Sequence, residues 1–443
     1  GGVRKEPRTS CRLLVWSLFD KFMPTPQHQA ASRLAATQSS GRPLVSVIIP
    51  TYNRAPLLKT AIASALNQER AGDLFDVEVI VVDDCSPEDM SPIVAKFPGV
   101  RYIRLPENRG ASGARNAGIK EARGKYVALL DDDDEFLTHK LMIQVPVLEA
   151  NPDVGVVYGQ SVVTGSDTPL LLWPEWAPSG RVFEEFLTRT EDFLHPHTWL
   201  VRRELFESAG WFNEQHRTME HYDMALRLSM LTAWSFLSGG PVARGRFSKK
   251  GKWYSNIVNG TNEERLPRIV ESALDRLPVT PEAERIRRKA RAAVCATIAG
   301  QRWWTGGGLE PTKQHLLASL RTSAWLLDEA PVMDWIQRIA GTLAGGSHQP
   351  VQAVRAFWEE IKHAVSSDPD AHTIPMRGVL GDMLLSAAIT MKQGSPRRAW
   401  MVGLGSIVHN PKSLKQPARL LHLYRALATN PTAAGTRLPV SPS

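Results

Sequence analysis

Tyr126-Val127-Ala128-Leu129-Leu130 runs without a break into Asp131-Asp132-Asp133-Asp134. The five apolar residues read as a buried strand. Four successive carboxylates at its end repel one another and raise one another's pKa. A hard divalent cation removes that repulsion, and Mg²⁺ is commonly held by one or two carboxylates plus substrate phosphates. The run therefore points to Mn²⁺ or Mg²⁺ bridging a diphosphate. The alternative is a solvated turn whose aspartates cap a helix starting near Thr138.

Outward from this run, the preceding chain repeats one theme. Leu44–Ile49 is an apolar β-rich run stopping at Pro50-Thr51-Tyr52-Asn53. Val77–Val82 is a second, ending in Asp83-Asp84, and Val100–Leu105 is a third. Helical spacing lies between them, at Leu57–Asn67, Ile93–Phe97 and Gly110–Ala122. Strands alternating with helices predict parallel βαβ units. Ligands of open α/β sheets bind beyond the carboxyl ends of the strands. Three of the four predicted strands end in polar or acidic segments, so these converge on one sheet edge. At Asp83-Asp84 a ligand hydroxyl or base and a plain Asx-turn or helix cap are both open. Asn108-Arg109-Gly110 and Gly113-Ala114-Arg115-Asn116 enter a helix in a way that suits a phosphate, or serves close packing alone.

Composition sets the outer limits. The 443 residues carry a net charge of +8, with 43% hydrophobic and 22% charged residues, which fits a multi-domain globular chain. The basic balance favours anionic partners, but no basic run with interleaved aromatics occurs, so nucleic acid is not an expected partner. Cys11, Cys85 and Cys295 are far apart and form neither a zinc pattern nor a disulfide framework. No apolar run is long enough for a spanning helix. Leu13–Phe22 reads as a capping helix or an amphipathic anchor. A cytoplasmic protein, peripheral to a membrane at most, is the expectation.

VSVIIPTYNR, VIVVDDCS, ENRGASGARNAGI and YVALLDDDDEF resemble, in order and spacing, the family 2 glycosyltransferases with the A-type fold, over roughly residues 43–260. The resemblance implies a mixed α/β domain that moves a sugar from a nucleotide-sugar, usually a UDP-sugar, to an acceptor hydroxyl with inversion, using Mg²⁺ or Mn²⁺. It implies that Pro50, Thr51, Tyr52 and Asn53 line the nucleoside. Asp83 and Asp84 lie at the base, and Arg115, Asn116, Asp131 and Asp132 belong to the same nucleotide-sugar site. Asp131 and Asp133 would hold the metal. His197 would lie near the acceptor, which the family's range makes a glycan, a lipid-linked sugar or a protein.

Met219–Leu228 resembles the helix carrying the base of inverting members, which usually begins Glu-Asp. Glu220 matches the Glu, but His221 stands where the Asp is expected. A histidine can serve as base, and Glu220 and Asp223 are the other candidates. Asp223 points about 200° around the helix from His221. The His that many members place further on as a metal ligand is replaced by Arg244–Lys250. These departures keep open a sugar-nucleotide-binding protein with weakened or no turnover. Trp173, Trp176 and Trp199 could stack on sugars or fill the core.

Residues 1–41 are expected to be an extension and linker, 42–261 the catalytic domain, and 262–443 a helical region. Within the last, the pieces starting at Lys313 and Arg397 look loosely alike.

Overall fold

The computed structural model describes residues 41–165, 168–174, 177–189, 194–246, 252–306, 308–323 and 349–366, with isolated positions between and beyond the last two stretches. Leu13–Phe22, Trp176, Phe247–Lys250 and the piece from Arg397 lie outside the described residues, as does the side chain of Trp173. By its internal contacts the chain divides into two units, Gly1–Phe183 with Glu191–Gly251, and Glu184–Thr190 with Lys252–Ser443.

The first unit is a mixed sheet flanked by helices. Its strands are β1 (Leu44–Thr51), β2 (Asp76–Asp83), β3 (Arg101–Arg104), β4 (Tyr126–Leu129), β5 (Glu135–Phe136), β6 (Val154–Gly165), β7 (Thr168–Trp173), β8 (Leu200–Arg202) and β9 (Ala233–Arg246). They lie in the order β3-β2-β1-β4-β8-β6-β9-β5, with β7 on β6. The first four strands are parallel, with Thr51 opposite Asp83, Asp83 opposite Arg104 and Ile48 opposite Leu129. Their carboxyl ends therefore share one edge. Beyond them β8 runs antiparallel to β4 and β6, and β9 runs parallel to β6.

The helices of this unit are α1 (Ala55–Leu66), α2 (Ser91–Val94), α3 (Gly110–Glu121) and α4 (Lys140–Ala150), then α6 (Glu204–Ala209) and α7 (Glu220–Leu231). Between α4 and α6 in the chain, α5 (Phe183–Arg189) lies almost wholly in the second unit. β1 and β2 are buried on both faces, as parallel strands between helices must be. The small residues of α3 have a packing reason. A Cβ at Gly118 would lie 2.5 Å from Ile48 Cγ2, so only glycine lets this helix approach β1 so closely. Trp199 is fully buried and meets Trp234 edge-on at 5.4 Å, which makes it core.

β6 and β8 answer to the apolar runs Val154–Tyr158 and Thr198–Val201, whereas β5, β7 and β9 have no counterpart expected from the sequence. In β9 the stretch Ser238-Gly239-Gly240-Pro241 breaks the pattern. Its register against β6 shifts there, Gly159 facing Leu237 and Gln160 facing Pro241, so the extra residues form a bulge. The aspartate run does not cap the next helix. β5 intervenes, and α4 starts after His139 with no side-chain cap.

The second unit is helical: α5 with α8 (Lys252–Val258), α9 (Thr261–Leu274), α10 (Pro281–Trp304), α11 (Leu309–Thr322) and α12 (Pro350–Val365). α10 starts cleanly, with Pro281 in its first turn and the Thr280 hydroxyl accepting from the Ala283 N–H. Its many cations are taken up locally, Arg291 by Glu271, Arg302 by Glu263 and Lys289 by Glu184. Among the described residues no helix is long and apolar enough to cross a membrane.

Candidate functional site

The four aspartates past β4 form a turn, closed by the Asp134 N–H donating to the Asp131 carbonyl, and they alternate in exposure. Asp131 and Asp133 keep 34% and 31% of their side-chain surface, against 6% and 10% for Asp132 and Asp134. The inward pair is held from both sides of the sheet. Asp132 accepts from the Thr51 hydroxyl at 2.8 Å and from Arg54 at 3.0 Å. Asp134 lies 2.6 Å from His197 Nδ1 and accepts the Arg246 N–H. The other ring nitrogen of His197 is 2.8 Å from Ser161 Oγ, so a buried Asp134–His197–Ser161 chain links β4, β6 and the turn before β8.

The outward pair meets guanidinium groups. Asp133 accepts from Arg54 at 2.7 Å. Asp131 accepts from Arg115 at 2.6 Å, and Arg115 reaches Glu220 at 2.6 Å with its other nitrogen. Arg115 is 2% exposed, so this bridge ties β4 to the start of α7 through the interior of α3. Burial pushes Asp131 upward, but the Arg115 guanidinium outweighs it and holds the carboxyl below the usual range. Glu220 is lowered the same way, against its burial and chiefly by Arg115. Burial, then the charges of Asp134 and Asp131, push Asp133 up to about 6.

His221 follows Glu220 at the start of α7, half-buried. Burial lowers its pKa, which leaves a neutral ring at pH 7, and its field is shared with Glu220, Arg115, Asp131 and His197. His195, stacked on His197 at 5.4 Å, is pushed down to about 3 by burial and by His197 and His221. Asp223 lies apart from this group, locked to Arg227 at 2.5 Å one turn along the helix. His197 is 5% exposed and gripped on both sides, so it shapes the floor of the edge.

The β2 end is built differently. Asp83 accepts from the Ser86 N–H, the Tyr102 hydroxyl and Arg104. Asp84 accepts the N–H groups of Arg109 and Gly110, one on each oxygen, and so receives the amino terminus of α3. Pro50 is buried in β1, opposite Val82, while Tyr52 is exposed. Asn53 has φ +55°, and its N–H bonds Ser86 Oγ, joining the β1 and β2 loops. Asn116 is spent on the backbone of Phe212, which it grips through both its amide N–H and its carbonyl oxygen. Arg54, Asp134, Ser161 and His195 join the edge without having been picked out as site residues. Two of them had a signal, Arg54 directly after Asn53 and Asp134 as the last of the four aspartates.

The donor set suits a small hard cation. Asp131 and Asp133 are the two more exposed carboxylates of the turn, and the crowding that raises Asp133 is the repulsion a cation relieves. Among the described residues no three His, Cys, Asp or Glu side chains form a ready cage.

Fold and edge together define an α/β domain that presents carboxylates and guanidinium groups to a ligand at its strand ends. Residues 46–210 match the family described as glycosyl transferase family 2. The succinoglycan biosynthesis protein ExoO of Rhizobium meliloti is 35% identical over 214 residues, 45% of this chain and 58% of that protein. The uncharacterized glycosyltransferase RP339 of Rickettsia prowazekii is 32% identical over 189 residues, 41% of this chain and 57% of that protein. The chain thus spans under two thirds of the length of these curated relatives. Among solved structures, S. aureus TarS 1-349 is similar at TM-score 0.46 and 17% identity, over 74% of this chain and 91% of that one. The mannosyltransferase PcManGT of Pyrobaculum calidifontis, in complex with GDP-Man and Mn²⁺, gives 0.45 and 19%, over 82% and 97%.

Proposed function

We propose that the chain is an inverting glycosyltransferase. It would transfer a sugar from a nucleotide-sugar, of which a UDP-sugar is the first choice, to a hydroxyl of a glycan, a lipid-linked sugar or a protein. The observation that carries the reading is the bridge from Asp131 through Arg115 to Glu220. It joins the acidic strand end to the helix start that bears His221, so donor and acceptor machinery form one buried ionic unit. A role in polysaccharide synthesis is supported by the name of the rhizobial relative.

In this reading the nucleoside lies along Thr51, Tyr52 and Asn53. Asp84 fixes the loop into α3 beside it. A divalent Mn²⁺ or Mg²⁺ on Asp131 and Asp133, when bound, offsets the charge of the departing diphosphate. His221, kept neutral by burial, accepts the proton of the acceptor hydroxyl as its oxygen attacks the anomeric carbon. Glu220 is held by Arg115 and stays ionised, which orients the helix start and stabilises the imidazolium as it forms.

Calorimetric UDP binding with and without Mn²⁺, on the intact chain and on Asp133→Ala, tests this. Metal-dependent binding that disappears in the variant is the expected result. No binding of UDP, GDP or TDP in any form sinks the donor site. The histidine in the aspartate's place favours one rival, a nucleotide-sugar binder that does not turn over. Donor hydrolysis that depends on Asp133 would eliminate it.

A further inference from the structure

Arg54 occupies an electrostatically awkward place. It is the N-cap residue of α1, whose first turn holds no acidic side chain. A cation is disfavoured at a helix amino terminus. What holds it there is the aspartate run: one nitrogen lies 3.0 Å from Asp132 Oδ1 and 2.7 Å from Asp133 Oδ2. Its backbone is fixed independently, since its carbonyl accepts from the N–H groups of Leu57 and Leu58. Its side chain is 49% exposed and can swing into solvent without disturbing the core.

We propose that Arg54 is a resident counter-cation of the donor site, which keeps a divalent ion from settling on Asp133 until a nucleoside diphosphate arrives and then turns to that diphosphate. The inference rests on the donor-site reading above. An ion about 2.0–2.2 Å from Asp133 Oδ2 lies no more than roughly 5 Å from the Arg54 nitrogen as it now sits, so the two cations repel strongly. Asp132 offers the guanidinium one oxygen only, because its second is committed to Thr51, so the pair left after Asp133 is taken is monodentate. A diphosphate reverses the sign of the problem. It bridges to the metal and gives the guanidinium a bidentate anionic partner. Metal and nucleotide therefore bind cooperatively, with Arg54 as the element that both of them displace.

The test is Mn²⁺ titration of the full chain without nucleotide, followed by the signal of free Mn²⁺ in electron paramagnetic resonance. It is run on the wild type, Arg54→Gln and Arg54→Lys, and repeated with UDP present. Arg54→Gln should bind Mn²⁺ alone roughly tenfold or more tightly than the wild type, and should lose most of the coupling between Mn²⁺ and UDP. Arg54→Lys, which keeps the charge, should stay near the wild type. Equal or weaker Mn²⁺ affinity in Arg54→Gln overturns the proposal, as does the absence of Mn²⁺ uptake by both proteins. Mn²⁺ capture by Arg54→Gln in a chain that never binds UDP would uphold the counter-cation and sink the donor reading instead. Melting curves identify any variant that fails to fold.

Discussion

The chain ends two neighbouring parallel strands in aspartates, and the two ends behave in opposite ways. At β2, Asp83 and Asp84 are 0% and 4% exposed, and their oxygens are met by nearby backbone N–H groups, a tyrosine and an arginine. At β4, the carboxylates are met mostly by side chains, those of Thr51, Arg54, Arg115 and His197, and two of the four keep about a third of their surface. Adjacent carboxylates in sequence thus describe a cost. How the fold meets that cost separates a structural turn from a site.

Four substitutions bear on this contrast. The largest effect is expected at the link between the two halves of the β4 site. Arg115→Met leaves Glu220 and Asp131 without their shared cation. It should cost roughly 3 kcal/mol, the low end for a broken buried pair because Asp131 keeps a third of its surface. Urea denaturation measures it, and a loss below about 0.5 kcal/mol would mean that the bridge is not a structural unit.

Asp84→Ala comes next. Two N–H groups at the start of α3 lose their acceptor, so about 1–3 kcal/mol of stability should go even without any ligand. An undiminished melting temperature would place Asp84 with the open carboxylates after all.

The third concerns pH. His195 titrates near pH 3 in the fold and near its ordinary value when unfolded. As pH falls below about 6.5 the unfolded chain takes up a proton that the folded chain refuses, so stability falls by at most ~1.4 kcal/mol per pH unit on this account. Comparing the wild type with His195→Gln between pH 6.5 and 5 isolates the contribution. Parallel curves would show that the ring protonates in place.

The smallest change in stability is expected at Asp133→Asn, within about 0.5 kcal/mol in either direction, because neutralising a crowded carboxylate offsets the loss of the Arg54 contact. Metal-dependent nucleotide binding should vanish in the same protein. Stability lost together with binding would erase the distinction between the two strand ends.

Much of the fold was legible because periodicity is local. The apolar runs at Leu44, Val77 and Tyr126 and the helices between them carry their own signals, and so does the helical texture past residue 262. β9 was hidden because Gly239-Gly240-Pro241 argue against a strand, and it is pairing with β6 on both sides of that bulge that keeps the strand going. At the site, the residue types in the β4 run pointed to the chemistry, but their partners were not readable. Arg54 lies 78 positions from Asp132 and Arg115 lies 105 from Glu220, and no spacing rule spans such distances. Asn116 shows the converse. It follows Arg115 directly, yet it serves the backbone at Phe212.

Those two adjacent residues of α3 have a consequence for how such a domain changes over time. Asn116 pins Phe212, and Arg115 pins Glu220. The segment from Asn213 to Met219 is thus a handle clamped at both ends, and Asn213, Gln215 and Arg217 are exposed along it. Its tips can be rewritten while its anchorage stays put. Drift or deliberate grafting at the exposed positions can therefore explore new surfaces without renegotiating the fold. A grafted segment that keeps Phe212, Glu214, Arg217, Met219 and Glu220 should melt as the parent does, whatever else it has learned to touch.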